Sequence, residues 1–186
     1  MSGDEPSQLG HVEGSKVSGG TRLEDEAERR RSEVVDSLES SQVAFQMMLE
    51  SLNEPDLLVT RPGSGWSVRE VAVHLISSIE RTPTLIGRLR RGSDYLNVPL
   101  PIAEVIKRLY TRWAARSVTR EELIRRFDAA CPPVLALVET IRSNEWDQGG
   151  YAYGEGHWTV EHALLHQREH VEVHIRQIRR LLGQSS

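Results

Sequence analysis

Cysteine is almost absent. The chain holds one, Cys131, so no internal disulfide can form and nothing calls for an oxidising compartment. No apolar run approaches the ~20 residues needed to span a bilayer, and the N-terminus lacks the apolar core of a signal peptide. These gaps point to a cytoplasmic protein with no membrane partner. An excess of basic charge is missing too: the formal net charge is −4 at pH 7. The small cluster of Arg88, Arg90 and Arg91 is too weak to build a field for nucleic acid. Alternating apolar and polar residues are lacking at any useful length, which argues against strands.

What remains is a chain of helices. At 186 residues, 38% hydrophobic and 27% charged, it suits one globular domain with a full core. Residues 1–22 are rich in Gly, Ser and charge with little to bury, which predicts a disordered tail ahead of a domain spanning 23–183. From Leu23 to Leu52 there is no Gly or Pro. Val34, Val35, Leu38, Phe45, Met48 and Leu52 recur at three- and four-residue steps, the signature of a long amphipathic helix.

Ser67, with Glu70 three residues on, makes a capping box for a second helix bearing Val68, Val71, Ala72, Leu75 and Ile79. Pro83 predicts a kink or a break at Thr82, with a short continuation through Leu85, Ile86 and Leu89 before the turn at 90–94. Residues 102–115 and 119–143 read as helices, the latter bent or interrupted at Pro132-Pro133, and 144–156 as a mobile loop bearing Tyr151 and Tyr153. The last helix runs from Trp158-Thr159 to Leu182, ended by Gly183. The fold class is therefore all-α, an antiparallel four-helix bundle. Trp66-Ser67-Val68 and Trp158-Thr159-Val160 echo one another, each with a histidine eight residues after the tryptophan; an internal duplication or the likeness of capped helices would each produce this.

The chemistry lies in the histidines. His162, His166, His170 and His174 fall at four-residue steps on the last helix. Imidazoles at i and i+4 stand on one face, about 5–6 Å apart at Cβ, and can share one ion. Four cannot, because each such step rotates by about 40°. Against the apolar direction set by Val160, Ala163, Leu164, Val171, Ile175, Ile178, Leu181 and Leu182, His174 lies about 45° away, His170 about 85°, and His166 about 125°. His162 points nearly opposite, toward water. His74 occupies the margin of the second helix's stripe. One histidine from one helix and a pair from another give three nitrogens and leave a coordination position open, the catalytic pattern for zinc. A solvated, pH-sensitive histidine face fits the spacing too. Arg81, two turns after His74, can meet an anionic ligand or stay solvated. Glu80, Tyr151, Tyr153 and Glu155 are loose candidates for acid–base roles.

The segments GWSVREVAVHL (65–75) and HVEVHIRQIRRLL (170–182) resemble the DinB-like superfamily, which includes bacillithiol transferases and mycothiol-dependent enzymes. The resemblance covers roughly residues 23–183. It implies a four-helix bundle with a metal triad, which here means His74, His170 and His174. His166 departs from the pattern and leaves a His166/His170 register open. The resemblance further implies a divalent metal, Zn2+ or alternatively Ni2+, a small-molecule thiol or electrophilic substrate, and a homodimer. The activity expected is thiol transfer, with metal-dependent hydrolysis or non-enzymatic, stress-related ligand binding as the other readings.

Overall fold

The computed structural model describes residues 17–63 and 65–184, so most of the expected disordered tail lies outside the described residues. Helix α1 (Val17–Ser51) begins six residues ahead of Leu23, inside the stretch assigned to that tail. Next come a short 3-10 turn (Asp56–Leu58), α2 (Val68–Leu89), α3 (Leu100–Ala114), α4 (Arg120–Glu139), a hairpin of β1 (Gly149–Ala152) and β2 (Gly156–Thr159), and α5 (Val160–Leu182).

Local chemistry sets the helix ends. The Ser67 side chain accepts from the Glu70 N–H while the Glu70 carboxylate accepts from the Ser67 N–H, closing the expected capping box. The Thr119 and Thr159 hydroxyls cap α4 and α5 by accepting from the N–H of Glu122 and of His162. Gly183 ends α5 at φ 77°, a left-handed position that suits glycine.

Four helices form the bundle. α1 packs against α4 and α5, and α2 packs against the same two, so α1 and α2 face each other across the core. Arg31 of α1 reaches the Ile141 carbonyl just beyond α4, and Arg120 at the start of α4 reaches the Leu49 carbonyl, so this pair is antiparallel. α2 likewise runs against α5: His74 meets His170, and the later Thr82 meets the earlier Gln167. Arg126–Glu80 and Arg90–Thr140 show α2 and α4 running in the same direction. Phe45 and Phe127 pack edge-on at 5.1 Å in the middle. The shorter α3 packs chiefly against α2 and leaves Ile102, Val105, Ile106, Leu109 and Trp113 exposed.

Three expectations need correction. The break at Thr82 does not occur: the expected continuation through Leu85, Ile86 and Leu89 is part of α2 itself, which runs through Pro83 to Leu89. Leu85, Ile86 and Leu89 are buried beyond the proline, and burial of ~1.5–3 kcal/mol per side chain outweighs its cost of ~3 kcal/mol. Pro132-Pro133 does not interrupt α4 either, since both face outward while Val134 and Val138 hold the helix in the core. The third concerns strands: residues 149–159 form a hairpin with Gly149 opposite Thr159 and Ala152 opposite Gly156. Tyr95 joins its edge, donating to the Tyr151 carbonyl at 2.9 Å and accepting from the Tyr153 N–H at 3.1 Å. None of the described helices is long and apolar enough to cross a membrane.

Candidate metal centre

His74 stands on the second turn of α2; His170 and His174 stand one turn apart on α5. Their Nε2 atoms meet in the bundle. His170 Nε2 lies 3.3 Å from His74 Nε2 and 2.9 Å from His174 Nε2. The rings pack edge to face, with centroids 4.5 to 5.2 Å apart. His74 and His174 are buried, His170 half-buried and His162 exposed, in the order that the helical angles predict. His166 is half-buried and stacks on His170 at 5.9 Å, outside the group of converging nitrogens. The structure thus gathers His74 with His170 and His174, in preference to the His166/His170 register.

Electrostatics leave these rings uncharged. Burial pushes His74 down to about 3, with the neighbouring His174 adding to the shift, and burial pushes His170 down to about 2. His174 is lowered by burial as well, opposed by its hydrogen bond to Gln177. That bond, His174 Nδ1 to Gln177 Oε1 at 2.8 Å, places the ring proton on Nδ1 and leaves the Nε2 lone pair aimed at its neighbours. His74 Nδ1 is buried with no hydrogen-bond partner among the described residues.

Such a cluster is poorly satisfied by protons. One proton on His170 Nε2 can serve only one of its two contacts, and the other stays lone pair against lone pair. A cation is the natural occupant. Two imidazoles each about 2.0–2.1 Å from one ion stand about 2.9 to 3.4 Å apart for bond angles of about 90 to 110°. Both observed separations fall in that window, so the residues fit a divalent ion.

Beside the histidines opens a cavity of about 500 Å³. Its wall includes His74 and His170 along with Tyr153, His166 and residues of α3. Trp158 is buried there and stacks edge-on with His166 at 4.7 Å and with Tyr153 at 5.5 Å. Trp66, its counterpart just ahead of α2, has its ring centroid 4.9 Å from that of His74. Both tryptophans of the sequence echo thus pack against histidines.

The looser candidates separate. Glu80 is held by Arg126 through two bonds of 3.0 and 2.8 Å and is no free base. Tyr151 is exposed and packs on His157. Tyr153 lines the cavity, where burial pushes its hydroxyl up to about 12. Glu155 sits exposed on the cavity rim. Cys131 is buried, and burial pushes its thiol up to about 12, which makes it a core residue. Gln177 was not singled out from the sequence; its place three residues after His174, on the same helical face, was the available signal.

A family model described as the DinB superfamily matches residues 37–178. Among solved structures, the fold resembles a protein described as "YfiT from Bacillus subtilis is a probable metal-dependent hydrolase with an unusual four-helix bundle topology". That likeness has a TM-score of 0.63 at 17% identity and covers 83% of this chain and 89% of the other. No curated protein matches the sequence.

Proposed function

The chain belongs to the DinB superfamily, and on that premise we propose that Nε2 of His74, His170 and His174 hold one divalent metal ion for chemistry on a small molecule in the adjoining cavity. Zinc is the ion favoured, with nickel as the alternative; three imidazoles accept either. The reaction proposed is transfer to a low-molecular-weight thiol. The observation that carries this reading is the meeting of three neutral imidazole nitrogens beside a partly open, largely apolar cavity.

The ion, when bound, supplies Lewis acidity that eases removal of a proton from a thiol or a water. The protein's own groups do the rest. Gln177 fixes the His174 ring, and Trp66 packs against the His74 ring. Trp158 and Tyr153 shield one side of the cavity from solvent. His166, half-buried on the wall and kept neutral by burial, is placed to accept the thiol's proton.

Elemental analysis of protein purified without an affinity tag, followed by a panel of thiols with 1-chloro-2,4-dinitrobenzene, tests the reading. Metal-dependent, thiol-dependent turnover that disappears in His174→Ala together with the metal is the expected result. Turnover that survives in metal-free His174→Ala refutes it.

Hydrolysis is the second reading, favoured by the description of the B. subtilis neighbour. Metal-dependent turnover of p-nitrophenyl acetate without thiol would select it. Bound metal with neither activity would select a non-enzymatic ligand-binding role. We carry the expected homodimer forward as a further proposal, supported by the exposed apolar face of α3 and tested by light scattering.

A further inference from the structure

We propose that the cavity recognises an organic anion, a carboxylate on an apolar body, which pairs with the Arg81 guanidinium while its far end approaches His74 and His170. The inference rests on the reading above and narrows its substrate class.

Arg81 is the first observation. It lines the cavity from α2, is half-buried, and its Nε is buried without a hydrogen-bond partner among the described residues. Nε of Arg31 and of Arg69 is buried without a hydrogen-bond partner as well, but the other shielded arginines of the bundle, Arg30, Arg31, Arg69, Arg90 and Arg126, each have a carboxylate within 4 Å. No described carboxylate lies within ion-pairing distance of Arg81. Its guanidinium lies 5.7 Å from the centroid of the Tyr110 ring, a contact that orients the plane but uses none of its N–H donors. A shielded cation without a counter-charge is costly. A carboxylate ligand removes that cost and matches the guanidinium fork with two parallel hydrogen bonds.

A second donor points the same way. Gln167 is 7% exposed, lines the cavity three residues before His170, and has a buried Nε2 with no partner. Its Oε1 is already engaged, 3.3 Å from the Thr82 hydroxyl. What the side chain lacks is an acceptor, and a ligand oxygen would supply one.

The remaining wall decides the rest of the ligand. Leu85, Leu100, Ile106 and Trp158 face the cavity and suit an apolar body, and about 500 Å³ is the size of a small-molecule site. Charge is arranged from inside to outside. Lys107, paired with Glu104, lines the wall with Arg81, whereas the exposed Glu155 stands at the rim near His166. The unpaired positive charge is the sheltered one, so the anionic group belongs at Arg81.

The test compares 4-phenylbutyrate with uncharged 4-phenylbutanamide by calorimetry on the full chain, both metal-free and loaded with one equivalent of zinc. Wild-type protein should bind the acid at least about tenfold tighter than the amide, the worth of one charge-assisted hydrogen bond. Arg81→Met should bring the two affinities together without weakening the amide, and Arg81→Lys should restore part of the preference. Circular dichroism confirms that each variant is folded. Equal affinities in wild type, including detectable binding of neither probe, overturn the proposal. So does a preference that survives in Arg81→Met. The metal-free arm separates the two readings: an anion preference there stands even if the histidines bind no metal.

Discussion

His74 on α2 and His170 on α5, 96 residues apart in the chain, bring their Nε2 atoms within 3.3 Å of each other. Both rings are shielded from water, neither carries a positive charge at neutral pH, and Nδ1 of His74 has no partner among the described residues. Hydrogen bonding alone leaves this contact unsatisfied, because His174 Nε2 crowds the same nitrogen of His170 at 2.9 Å. A shared cation resolves all three lone pairs at once. The following expectations test that account and the frame around it.

Gln177 should matter to metal binding although it touches no ligand position. Its Oε1 accepts from His174 Nδ1 at 2.8 Å, and such outer partners are worth about 10–100-fold in affinity. Gln177→Leu should weaken zinc binding by that factor in competition with a chromophoric chelator, and Gln177→Glu should recover most of it. His174→Ala should weaken binding further than Gln177→Leu.

Acid should weaken the metal-free fold in a defined window. The folded protein holds His74 at about 3 and His170 at about 2, against 6.5 in the unfolded chain. Below pH 6.5 the unfolded state therefore takes up protons that the folded state refuses. Stability should fall as pH drops from about 6.5 toward 3, by up to about 1.4 kcal/mol per pH unit for each histidine, with no contribution above that range. Urea midpoints at pH 7, 6, 5 and 4 measure the slope. His74→Phe should reduce it, leaving the part that His170 supplies, and a wild-type profile flat from pH 7 to 4 would contradict the burial of neutral rings.

Glu145 should be a structural clamp. Its side chain, 8% exposed, accepts from Arg90 at 2.7 Å and from the Arg142 backbone and guanidinium at 2.9 Å, tying the end of α2 to the segment after α4. Arg142 and then Arg90 hold its carboxyl down at about 2, below the ordinary 4.5. Its contribution is present above pH 4.5 and disappears as pH falls toward 2. Glu145→Gln should cost about 1.5–3 kcal/mol at pH 7, read from urea unfolding, and much less at pH 3.

Gly154 should not tolerate a side chain. It sits at φ 72° beside Tyr153, and an added Cβ would stand 2.3 Å from the Val98 carbonyl oxygen. Gly154→Ala should destabilise by at least about 1–3 kcal/mol and loosen the wall that carries Tyr153, seen as faster amide exchange in residues 95–98 and 149–159.

The helices and the three histidines were legible because both rest on local spacing. Val71, Leu75 and Ile79 mark one face of α2, and on α5 His174 points inward with His170 on its flank, which is where the structure places them. The hairpin was not legible. Gly149-Gly150-Tyr151-Ala152 and its partner are four residues each, too short for alternation to register, and much of their order comes from Tyr95 and Asp94, far away in sequence. Spacing left open whether the helices break at Pro83 and Pro132-Pro133, since the burial of Leu89 and Val138 that decides it is a tertiary fact. The cavity belongs to this class as well. Arg81 showed only its place after His74, and that it lacks a carboxylate emerges only once the other arginines are seen to have theirs.

X-ray absorption at the zinc edge, on protein carrying one equivalent of the ion, addresses the shared site most directly. Three imidazole nitrogens at about 2.0–2.1 Å are expected in wild type and two in His74→Ala. An ion with fewer than three imidazoles in wild type, or a coordination shell indifferent to the loss of His74, would contradict the account.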